Sequence, residues 1–503
     1  MRQQGILMPI ASIPSAYGIG TFGKESYRFV DFLEKAGQTL WQILPLGPTS
    51  YGDSPYQTFS TFAGNPYFID LEMLVADGLL TQKECDSCNF GEDVLSIDYE
   101  KLYYARFPLL RKAFERGYET ISQTESYGEF KQKNADWLED YALYMAVKDS
   151  FGGVCYIEWP EDIRRRKKAA MNRYRKQLQT EIDFYFFQQY LFFTQWKALK
   201  QYANERSIEI VGDIPIYVAF DSADTWANPK LFQMDRQGYP TAVAGCPPDY
   251  FSETGQLWGN PLYDWNYHRE TGYAWWMQRF AHCYELYDVV RIDHFRGFDE
   301  YWAVPYGEST AVNGEWLKGP GYELFSTLKK TLGKKRIIAE DLGFMTNSVR
   351  KLVKRTGFPN MKILQFGFDS EGESEYLPHK YDHNCVVYTG THDNDTTVGF
   401  IRQMRGKDLK FARKYLHCKN DKKLCREMIR AGIASVADLC IIPMQDWLEL
   451  DNKARINIPS TLGENWKWRM ASEALTEELA KKIYKMTKLY GRVQGEGGQE
   501  RNA

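Results

Sequence analysis

Short apolar runs recur along this chain, each rich in β-branched residues and closed by glycine or polar residues. Runs of this length and composition are typical of strands that are buried on both faces. We predict eight strands, at residues 5–10, 40–46, 208–214, 287–293, 335–340, 361–366, 384–390 and 439–445.

Segments with helical patterns separate most of these strands. The clearest are 321–332 and 346–357; in the second, Thr346 or Asn347 caps the start and Gly357 the end. Eight strands alternating with helices are what a (β/α)8 TIM barrel requires, so the predicted fold class is α/β. A doubly wound open sheet is the alternative, although no G-x-G-x-x-G pattern follows the first strand.

The spacing between the predicted strands is uneven. Segment 47–207, between the second and third strands, is far longer than a crossover helix needs. Its helix-like stretches are 99–117, 128–150 and 163–206. A second long segment, 215–286, is rich in proline, glycine and tryptophan.

Loops at the carboxyl ends of barrel strands usually carry function. We therefore expect both insertions to lie on the C-terminal face and to shape a substrate cleft. The predicted organisation is one catalytic domain over 1–503, with mostly helical subdomains at 47–207 and an inserted loop or subdomain at 215–286. The final GEGGQERNA is predicted to be a loose tail.

Carboxylic acids end several of the apolar runs: Asp293 in VVRID, Glu340 in IIAE and Asp393 in VVYTGTHD. The carboxyl ends of parallel strands meet at one mouth of a barrel. Clustered carboxylates repel one another and resist desolvation, so a fold tolerates them mainly where chemistry requires them. Asp213, near the end of the third strand, is a fourth acid at this rim, and its alternative role is to form the turn before Pro215.

Arg291 and Asp293 are two residues apart, so both project to one side of a strand. A neighbouring guanidinium lowers the pKa of a carboxyl group, which suits an ionised nucleophile. Glu340 has no adjacent cation, and a partly apolar wall would raise its pKa as a general acid requires. Such a pair is the machinery of a retaining glycosidase or transglycosylase, with carboxyl groups about 5–5.5 Å apart. The structural alternative is an Arg291–Asp293 ion pair that closes the barrel, with Glu340 capping the next helix.

His294 and His392 each adjoin one of these aspartates. Each is a candidate donor to substrate hydroxyl groups, or else structural, and neither has the H-E-x-x-H spacing of a metal site. Cys85 and Cys88 form a C-x-x-C with no second pair at zinc-finger spacing, so no metal and no cofactor are predicted.

The net charge of −3 gives no electrostatic reason to expect nucleic acid or an anionic membrane as a partner. The 14 Trp, 34 Tyr and 29 Phe suit sugar rings as well as a protein core. The N-terminal apolar patch is broken by Pro9 and Pro14, and it is typical of a strand and loop rather than a signal peptide. No stretch reaches membrane-span length, so the predicted location is cytoplasmic.

Four segments, VGDIPIYV, VVRIDHFRG, IIAEDLG and YTGTHDND, resemble the four signature regions of the α-amylase superfamily. The residues within these segments are most similar to those of glycoside hydrolase family 77, the amylomaltases or disproportionating 4-α-glucanotransferases. Segments 52–71, 247–265, 366–369 and 457–469 agree, and the resemblance is weakest at 72–205. It implies a TIM barrel without the C-terminal β-sandwich domain of most α-amylases.

The resemblance implies that Asp293 is the nucleophile, Glu340 the acid/base and Asp393 the transition-state stabiliser. Asp395, two residues further on, is not the third acid of the family. Four more residues match contacts to the sugar at the cleavage point: Asp213, Arg291, His294 and His392.

Loop 247–256 resembles the flap that folds over the bound glucan, with Tyr250 and Phe251 at its tip. Further positions match the lining of the glucan groove: Ser54, Tyr56, Gln256, Trp258, Asp369 and Asn465. Tyr51 resembles an aromatic residue of a secondary glucan site.

The implied reaction transfers an α-1,4-glucan segment to the 4-hydroxyl of an acceptor, through a covalent glucosyl-enzyme intermediate and without a cofactor. Donors and acceptors are maltooligosaccharides, amylose and glucose. One alternative is an α-1,4-glucan hydrolase with the same acids, and another is a glucan-binding protein without activity. No motif predicts an oligomeric state.

Overall fold

The structure is a computed structural model that describes residues 2–50, 52–248, 252–343, 345–369 and 373–493. The strands in chain order are β1 (Gln3–Leu7), β2 (Leu40–Gln42), β3 (Glu209–Ile214), β4 (Ala242–Cys246), β5 (Gln256–Pro261), β6 (Val289–Ile292), β7 (Glu300–Pro305), β8 (Glu315–Lys318), β9 (Ile337–Ala339), β10 (Asn360–Ile363), β11 (Cys385–Tyr388) and β12 (Leu439–Pro443). Within the described ranges, eight parallel strands close into a barrel in the order β1-β12-β11-β10-β9-β6-β3-β2.

The barrel confirms the predicted fold class, and the open-sheet alternative is wrong. Each of the eight predicted strands contributes one barrel strand. Several are shorter than predicted because the apolar runs continue into the loops at the carboxyl ends. Asp293 therefore follows β6 and Glu340 follows β9, at the start of those loops.

The helices in chain order are α1 (Lys24–Lys35), α2 (Leu71–Ala76), α3 (Gln82–Asp86), α4 (Tyr99–Ile121), α5 (Glu125–Lys133), α6 (Leu138–Ser150), α7 (Glu161–Arg164), α8 (Lys168–Gln177), α9 (Gln179–Glu205), α10 (Ala223–Ala227), α11 (Trp265–Glu270), α12 (Ala274–Leu286), α13 (Tyr322–Leu332), α14 (Asn347–Thr356), α15 (Thr397–Gln403), α16 (Gly406–Tyr415), α17 (Asp421–Ala434), α18 (Met444–Trp447) and α19 (Glu477–Leu489). Helices α2 to α9 lie between β2 and β3. The division of this segment into subdomains stays a prediction.

Helix α14 follows its predicted caps closely. The Thr346 hydroxyl accepts a hydrogen bond from the Val349 backbone N–H at 3.3 Å, and Gly357 ends the helix with a φ of 72°. Such a side-chain cap stabilises a helix by about 1 kcal/mol, and glycine adopts the left-handed conformation without steric cost. Leu352 and Val353 are buried against the barrel.

The helix-like stretch predicted at 128–150 is divided between two helices, because α5 ends at Lys133 and α6 begins at Leu138. The Asn134 amide donates to the Phe130 carbonyl at 2.8 Å and accepts from the Trp137 indole at 3.1 Å. Asparagine side chains that bond the nearby backbone compete with a continuing helix. The stretch predicted at 163–206 is likewise divided among α7, α8 and α9.

A second, antiparallel sheet was not predicted. Its order is β5-β4-β7-β8, and it joins residues of the 215–286 insertion to the segment after β6. Its strands are short and contain glycine and proline, so their local pattern is that of a loop. Strands β4 and β5 flank the predicted flap in the sequence, and residues 249–251 of the flap lie outside the described ranges.

The core lies between the barrel and its helices. Trp41 in β2 is fully buried, donates its indole N–H to the Met8 carbonyl at 2.8 Å, and meets the Phe29 ring of α1 edge-on at 5.1 Å. Aromatic pairs of this kind contribute about 0.5–1.5 kcal/mol beyond the area they bury. In the described residues after β12, as far as Val493, no further strand follows, apart from the isolated bridge between Ser96 and Trp468. None of the helices in the described ranges has the length and apolar character needed to cross a membrane.

Candidate active site

Two adjacent strands, β3 and β6, hold the predicted site residues Asp213 and Arg291, and Asp293 directly follows β6. Asp213 and Arg291 are register partners, and Arg291 donates Nη1–H to Asp213 Oδ2. The same guanidinium donates Nη2–H to Asp293 Oδ1 at 3.1 Å, which confirms that both side chains lie on one side of the strand. The Arg291 side chain is 4% exposed and that of Asp293 is 28% exposed, so the aspartate keeps one face open at the mouth of the barrel.

Glu340 follows β9, the next strand round the barrel. Ile292 and Ala339 are register partners, so the residues that follow them, Asp293 and Glu340, are neighbours across two parallel strands. Such strands lie about 4.8 Å apart, which is compatible with the ~5–5.5 Å carboxyl separation of a retaining pair. The structural alternative for Glu340 is wrong, because the cap of α14 is Thr346.

Two backbone N–H groups fix the orientation of the Glu340 carboxyl group. His294 N–H donates to Oε2 at 2.6 Å and Leu342 N–H donates to Oε1 at 3.1 Å. His294 has a φ of 48°, in the left-handed region that a non-glycine residue rarely adopts. This conformation begins the loop after β6 and turns the backbone N–H of His294 towards the neighbouring strand.

The pKa values of these two carboxyl groups are separated. Burial raises the pKa of Asp293 to about 6, an effect that Arg291 opposes and that Asp213 and Asp393 reinforce. The prediction that Arg291 holds this pKa below its usual value is therefore wrong, since desolvation outweighs the cation. Burial raises the pKa of Glu340 to about 8, with Arg291 lowering it and the Asp293 charge raising it. The expected direction for Glu340 is confirmed.

Asp393 approaches this cluster from the loop after β11. Its neighbour His392 has Nε2 3.3 Å from Asp393 Oδ2 and 2.9 Å from the Tyr56 hydroxyl oxygen. The Tyr56 hydroxyl donates to Asp213 Oδ2 at 2.7 Å. Because that hydroxyl has one hydrogen, His392 Nε2 carries the hydrogen between His392 and Tyr56. Tyr56 and His392 thus connect Asp393 to the Asp213–Arg291 pair.

Both histidines are neutral at neutral pH. Burial lowers the pKa of His392, although the Asp393 charge opposes the shift. Burial, reinforced by Arg296, lowers the pKa of His294 to about 3. Neutral imidazoles are suited to exchanging hydrogen bonds with uncharged hydroxyl groups, and they add no positive charge beside Asp293.

A further group of side chains supports Asp393, and the sequence analysis missed it. Asn457 donates Nδ2–H to Asp393 Oδ1 at 2.6 Å, and Arg455 donates Nη2–H to the Asp393 backbone carbonyl at 2.7 Å. Arg455 also pairs with Asp395, which accepts a second hydrogen bond from Asn452 at 2.9 Å. Asp395 is therefore a structural support of the Asp393 loop. Asn457 opens the segment 457–469 noted above, and its position there is the only signal the sequence offers.

Of the predicted groove residues, Tyr56 and Trp258 lie against the two histidines. The Tyr56 ring stacks on His392 at 5.3 Å, and Trp258 meets His294 edge-on at 4.7 Å. Gln256 accepts from the Trp258 indole N–H at 3.1 Å, and Ser54 Oγ accepts from the Tyr56 N–H at 3.3 Å. Ser54 and Tyr56 therefore adjoin His392, and Gln256 and Trp258 adjoin His294.

The remaining predicted groove residues lie in other loops or outside the described ranges. The Asn465 side chain bonds within its own loop, accepting from Ile458 N–H at 2.9 Å and donating to the Thr461 carbonyl at 2.9 Å. Asp369 is exposed in the segment after β10. Three predicted residues lie outside the described ranges: Tyr51, Tyr250 and Phe251. Neither Cys85 nor Cys88 forms a disulfide, and the described residues contain no group of three or more His, Cys, Asp or Glu side chains placed to hold a metal ion.

Comparison with known proteins relates this geometry to one family. The family model of 4-alpha-glucanotransferases, glycoside hydrolase family 77, matches residues 8–476. A 4-alpha-glucanotransferase of Streptococcus pneumoniae is 52% identical over 98% of both chains, and one of Clostridium butyricum is 49% identical over 97% of this chain and all of its own. The solved structure of an amylomaltase from Streptococcus agalactiae in complex with acarbose has a TM-score of 0.96 and 42% identity, covering 98% of this chain and 100% of its own.

Proposed function

Because the chain belongs to the 4-alpha-glucanotransferases of glycoside hydrolase family 77, we propose that Asp293, Glu340 and Asp393 carry out its transfer reaction. The protein is an enzyme of the transferase class that acts on α-1,4-glucans. The alternative of a glucan-binding protein without activity is therefore wrong. The hydrolase alternative is not favoured, since the relatives are glucanotransferases.

The observation that supports these roles most strongly is the placement of two carboxyl groups after register partners of adjacent strands, one beside Arg291 and the other held by two backbone N–H groups. With pKa values of about 6 for Asp293 and about 8 for Glu340, the aspartate is mostly ionised at neutral pH and the glutamate mostly protonated. Two carboxyl groups whose environments separate their pKa values are suited to opposite roles in one reaction. The ionised group is the nucleophile and the protonated group is the general acid.

In the first step, the Asp293 carboxylate attacks the anomeric carbon of the donor glucan while Glu340 transfers its proton to the glycosidic oxygen. The carbon–oxygen bond of the linkage breaks, the reducing-end fragment leaves as an alcohol, and a glucosyl ester forms on Asp293. Arg291 holds Oδ1 of Asp293, which leaves Oδ2 as the attacking oxygen.

In the second step, Glu340 acts as the base. Formation of the ester removes the negative charge of Asp293, and that charge is one of the causes that raise the pKa of Glu340. The pKa of Glu340 therefore falls when the intermediate forms, which favours the carboxylate state. Glu340 accepts the proton of the acceptor 4-hydroxyl as that oxygen attacks the anomeric carbon, and the bond to Asp293 breaks.

Asp393 is the proposed stabiliser of the charge that develops on the sugar ring. Its carboxylate is held by Asn457 and adjoins His392, and its side chain is 40% exposed towards the cleft. A carboxylate fixed in this way accepts hydrogen bonds from hydroxyl groups of the sugar ring, and these hydrogen bonds strengthen as the oxocarbenium-like state forms.

We propose maltooligosaccharides, amylose and glucose as donors and acceptors. The aromatic rings of Tyr56, beside His392, and Trp258, beside His294, offer apolar faces to sugar rings. The acarbose of the related S. agalactiae structure supports a groove of the same kind here. The flap at 247–256, by shielding the intermediate from water, would favour transfer over hydrolysis. A cytoplasmic location and the absence of nucleic-acid partners stay predictions from the sequence, which predicts no oligomeric state.

The product profile from maltotriose, followed over time by chromatography, tests the proposed reaction. Transfer yields longer maltooligosaccharides from the first time points. In hydrolysis, every linkage that is cleaved releases a new reducing end. The anomeric configuration of the new linkage, followed by NMR, should remain α. Reducing-end release equal to transfer, or inversion to β, contradicts the proposal.

Variants of the two acids test the roles. Asp293→Asn and Glu340→Gln should each lower kcat/KM by roughly 10³-fold or more, because each removes a group that acts in both steps, while glucan binding persists. Asp341→Asn is the matched control, since Asp341 directly follows Glu340 but its carboxyl accepts from Met361 N–H at 3.0 Å. Near-normal turnover in Asp293→Asn would overturn the nucleophile assignment.

A further inference from the structure

A second cavity opens at the amino-terminal ends of the barrel strands. Its volume is about 440 Å³, and Val289, Ile337 and Leu439, the first residues of β6, β9 and β12, are among its lining residues. The proposed catalytic acids follow the last residues of their strands, so this cavity lies at the opposite end of the barrel. Its volume falls within the range of about 300–1,000 Å³ that is usual for small-molecule sites.

The floor of the cavity is apolar. Phe325 and Leu328 of α13 and Ile337 of β9 are buried, and Phe358 is half-buried beside them. Surfaces of this kind suit a flat or compact apolar group of a ligand, because its burial removes apolar area from water.

The rim of the cavity is basic. Among the described residues that line it, five are cationic and none is Asp or Glu: the cations are Lys329, Lys334, Lys335, Arg336 and Arg355. The whole chain has a net charge of −3, so the positive charge here is a local concentration. A cleft lined by one sign of charge between apolar walls raises the local concentration of ions of the opposite sign.

Three of these cations already have partners. Arg336 pairs with Glu209, Arg355 lies over the Tyr322 ring at 4.0 Å, and Lys335 lies over the Tyr284 ring at 4.8 Å.

The other two, Lys329 and Lys334, have no ion pair, side-chain hydrogen bond or ring contact within the described part of the chain. Both are exposed, one at the end of α13 and one in the loop that leads to β9. Their charges are therefore available to an incoming anion.

We propose that this cavity binds a small phosphorylated ligand with a flat apolar body, the class to which nucleoside diphosphates belong. The phosphate groups contact Lys329 and Lys334 at the rim, with the fixed guanidinium of Arg355 beside them. The apolar body lies on the floor formed by Phe325, Leu328 and Ile337. Ammonium and guanidinium groups are the usual protein partners of phosphate, and charge-assisted hydrogen bonds are about twice as strong as neutral ones. This site is independent of the glucan groove.

Isothermal titration calorimetry of the full chain tests the proposal, with ADP, adenosine and pyrophosphate as separate probes at about 50 mM salt. ADP should bind with a dissociation constant below about 1 mM, and adenosine and pyrophosphate should each bind at least tenfold more weakly, since each lacks one half of the ligand. No binding of ADP overturns the proposal. If adenosine binds as tightly as ADP, the proposed role of the basic rim is overturned. If pyrophosphate binds as tightly as ADP, the proposed role of the apolar floor is overturned.

Paired variants locate the site. Lys329→Gln/Lys334→Gln should weaken ADP binding by about tenfold or more, because two phosphate contacts are lost. Lys330→Gln/Lys354→Gln is the matched control, with the same charge change on α13 and α14 but outside the cavity lining, and it should change the affinity less than twofold. Both variants should keep glucan transfer, which shows that they are folded. Equal weakening in the two variants, or none in the first, overturns the assignment.

Discussion

The two sides of the proposed cleft are built in different ways. On one side, Asp293 and Glu340 follow register partners in adjacent barrel strands, and backbone N–H groups orient Glu340. On the other side, Asp393 lies in a loop whose geometry depends on side chains of the remote segment 452–457.

The difference shows which positions tolerate substitution. Barrel closure fixes the first pair through main-chain hydrogen bonds, which no single side-chain replacement removes. Asp393 depends on individual side chains, so a substitution at one of them should displace it while leaving Asp293 and Glu340 in place. The charge that balances the first side is the exception, because among the described residues a single side chain, Arg291, forms the salt bridges to both Asp213 and Asp293.

Replacing Arg291 should have the largest effect. Arg291→Leu leaves two carboxyl groups without their counter-charge, which should lower the free energy of unfolding by about 3–5 kcal/mol. Because Arg291 also lowers the pKa of Asp293, its loss should shift the acid limb of kcat/KM to higher pH and lower kcat/KM at pH 7 by roughly 10²-fold or more. Urea denaturation and a pH series measure the two effects.

Arg336→Leu is the control for that substitution. Arg336 pairs with Glu209 at the exposed amino-terminal end of the barrel, so its loss should cost at most about 1 kcal/mol. A similar loss of stability in both variants would contradict the special role of Arg291.

Asn457→Ala should disturb only the Asp393 side. It removes a hydrogen bond to a carboxylate, worth about 1.5–3 kcal/mol, so kcat should fall roughly ten- to a hundredfold. KM should change little, because Asp393 is proposed to bind the transition state more strongly than the substrate. Steady-state kinetics with maltotriose separate the two constants.

Asn384→Ala is the matched control, since the Asn384 amide donates to the Gly357 carbonyl at the amino-terminal end of the barrel. It should leave kcat unchanged. A rise in KM with normal kcat in Asn457→Ala would mean that Asn457 serves substrate binding rather than Asp393.

The pH dependence of kcat/KM reports on the side of the cleft that holds Asp293 and Glu340. Asp293 must be ionised, so activity should rise as the pH increases through about 6. Glu340 must be protonated, so activity should fall as the pH increases through about 8. Each limb should change activity about tenfold per pH unit outside this range.

The same profile in Asn457→Ala sharpens the comparison, because both limbs should keep their midpoints at lower activity. A shift of either midpoint by a full unit would show that the two sides are coupled. A flat profile between pH 5 and 9 would refute the proposed pair.

The smallest effect is expected at the contact that joins the two sides. Tyr56→Phe keeps the ring on His392 but removes the hydroxyl that bonds Asp213 and His392. One such hydrogen bond is worth about 0.5–1.5 kcal/mol, so kcat/KM should fall roughly two- to tenfold. Tyr376→Phe is a control outside this network, and a loss above a hundredfold in Tyr56→Phe would indicate a role beyond joining the two sides.

Much of the fold was predictable because barrel strands and capped helices are encoded locally. The run CVVY is apolar over its whole length, VVRI is apolar apart from Arg291, and Thr346 and Gly357 mark the ends of α14. The sheet formed by β4, β5, β7 and β8 was not predictable in this way. Its pairing joins residues far apart in the chain, and no local period reports such a partner.

The candidate site likewise has features that were predictable from the sequence and features that were not. Asp293, Glu340 and Asp393 were identifiable because each follows an apolar run, and the two-residue spacing of Arg291 and Asp293 sets their common side. The support of Asp393 by Asn457 and Arg455 was missed, since those residues are more than sixty positions away. The pKa of Asp293 was predicted in the wrong direction, because burial depends on everything packed around a group.

The sequence by itself determined which acids stand at the ends of which strands, since apolar periodicity and residue spacing are properties of neighbouring residues. Only the tertiary structure decided their ionisation, their partners and the basic cavity at the far end of the barrel. Desolvation, charge–charge interaction and cavity shape sum over groups that meet only after the chain has folded.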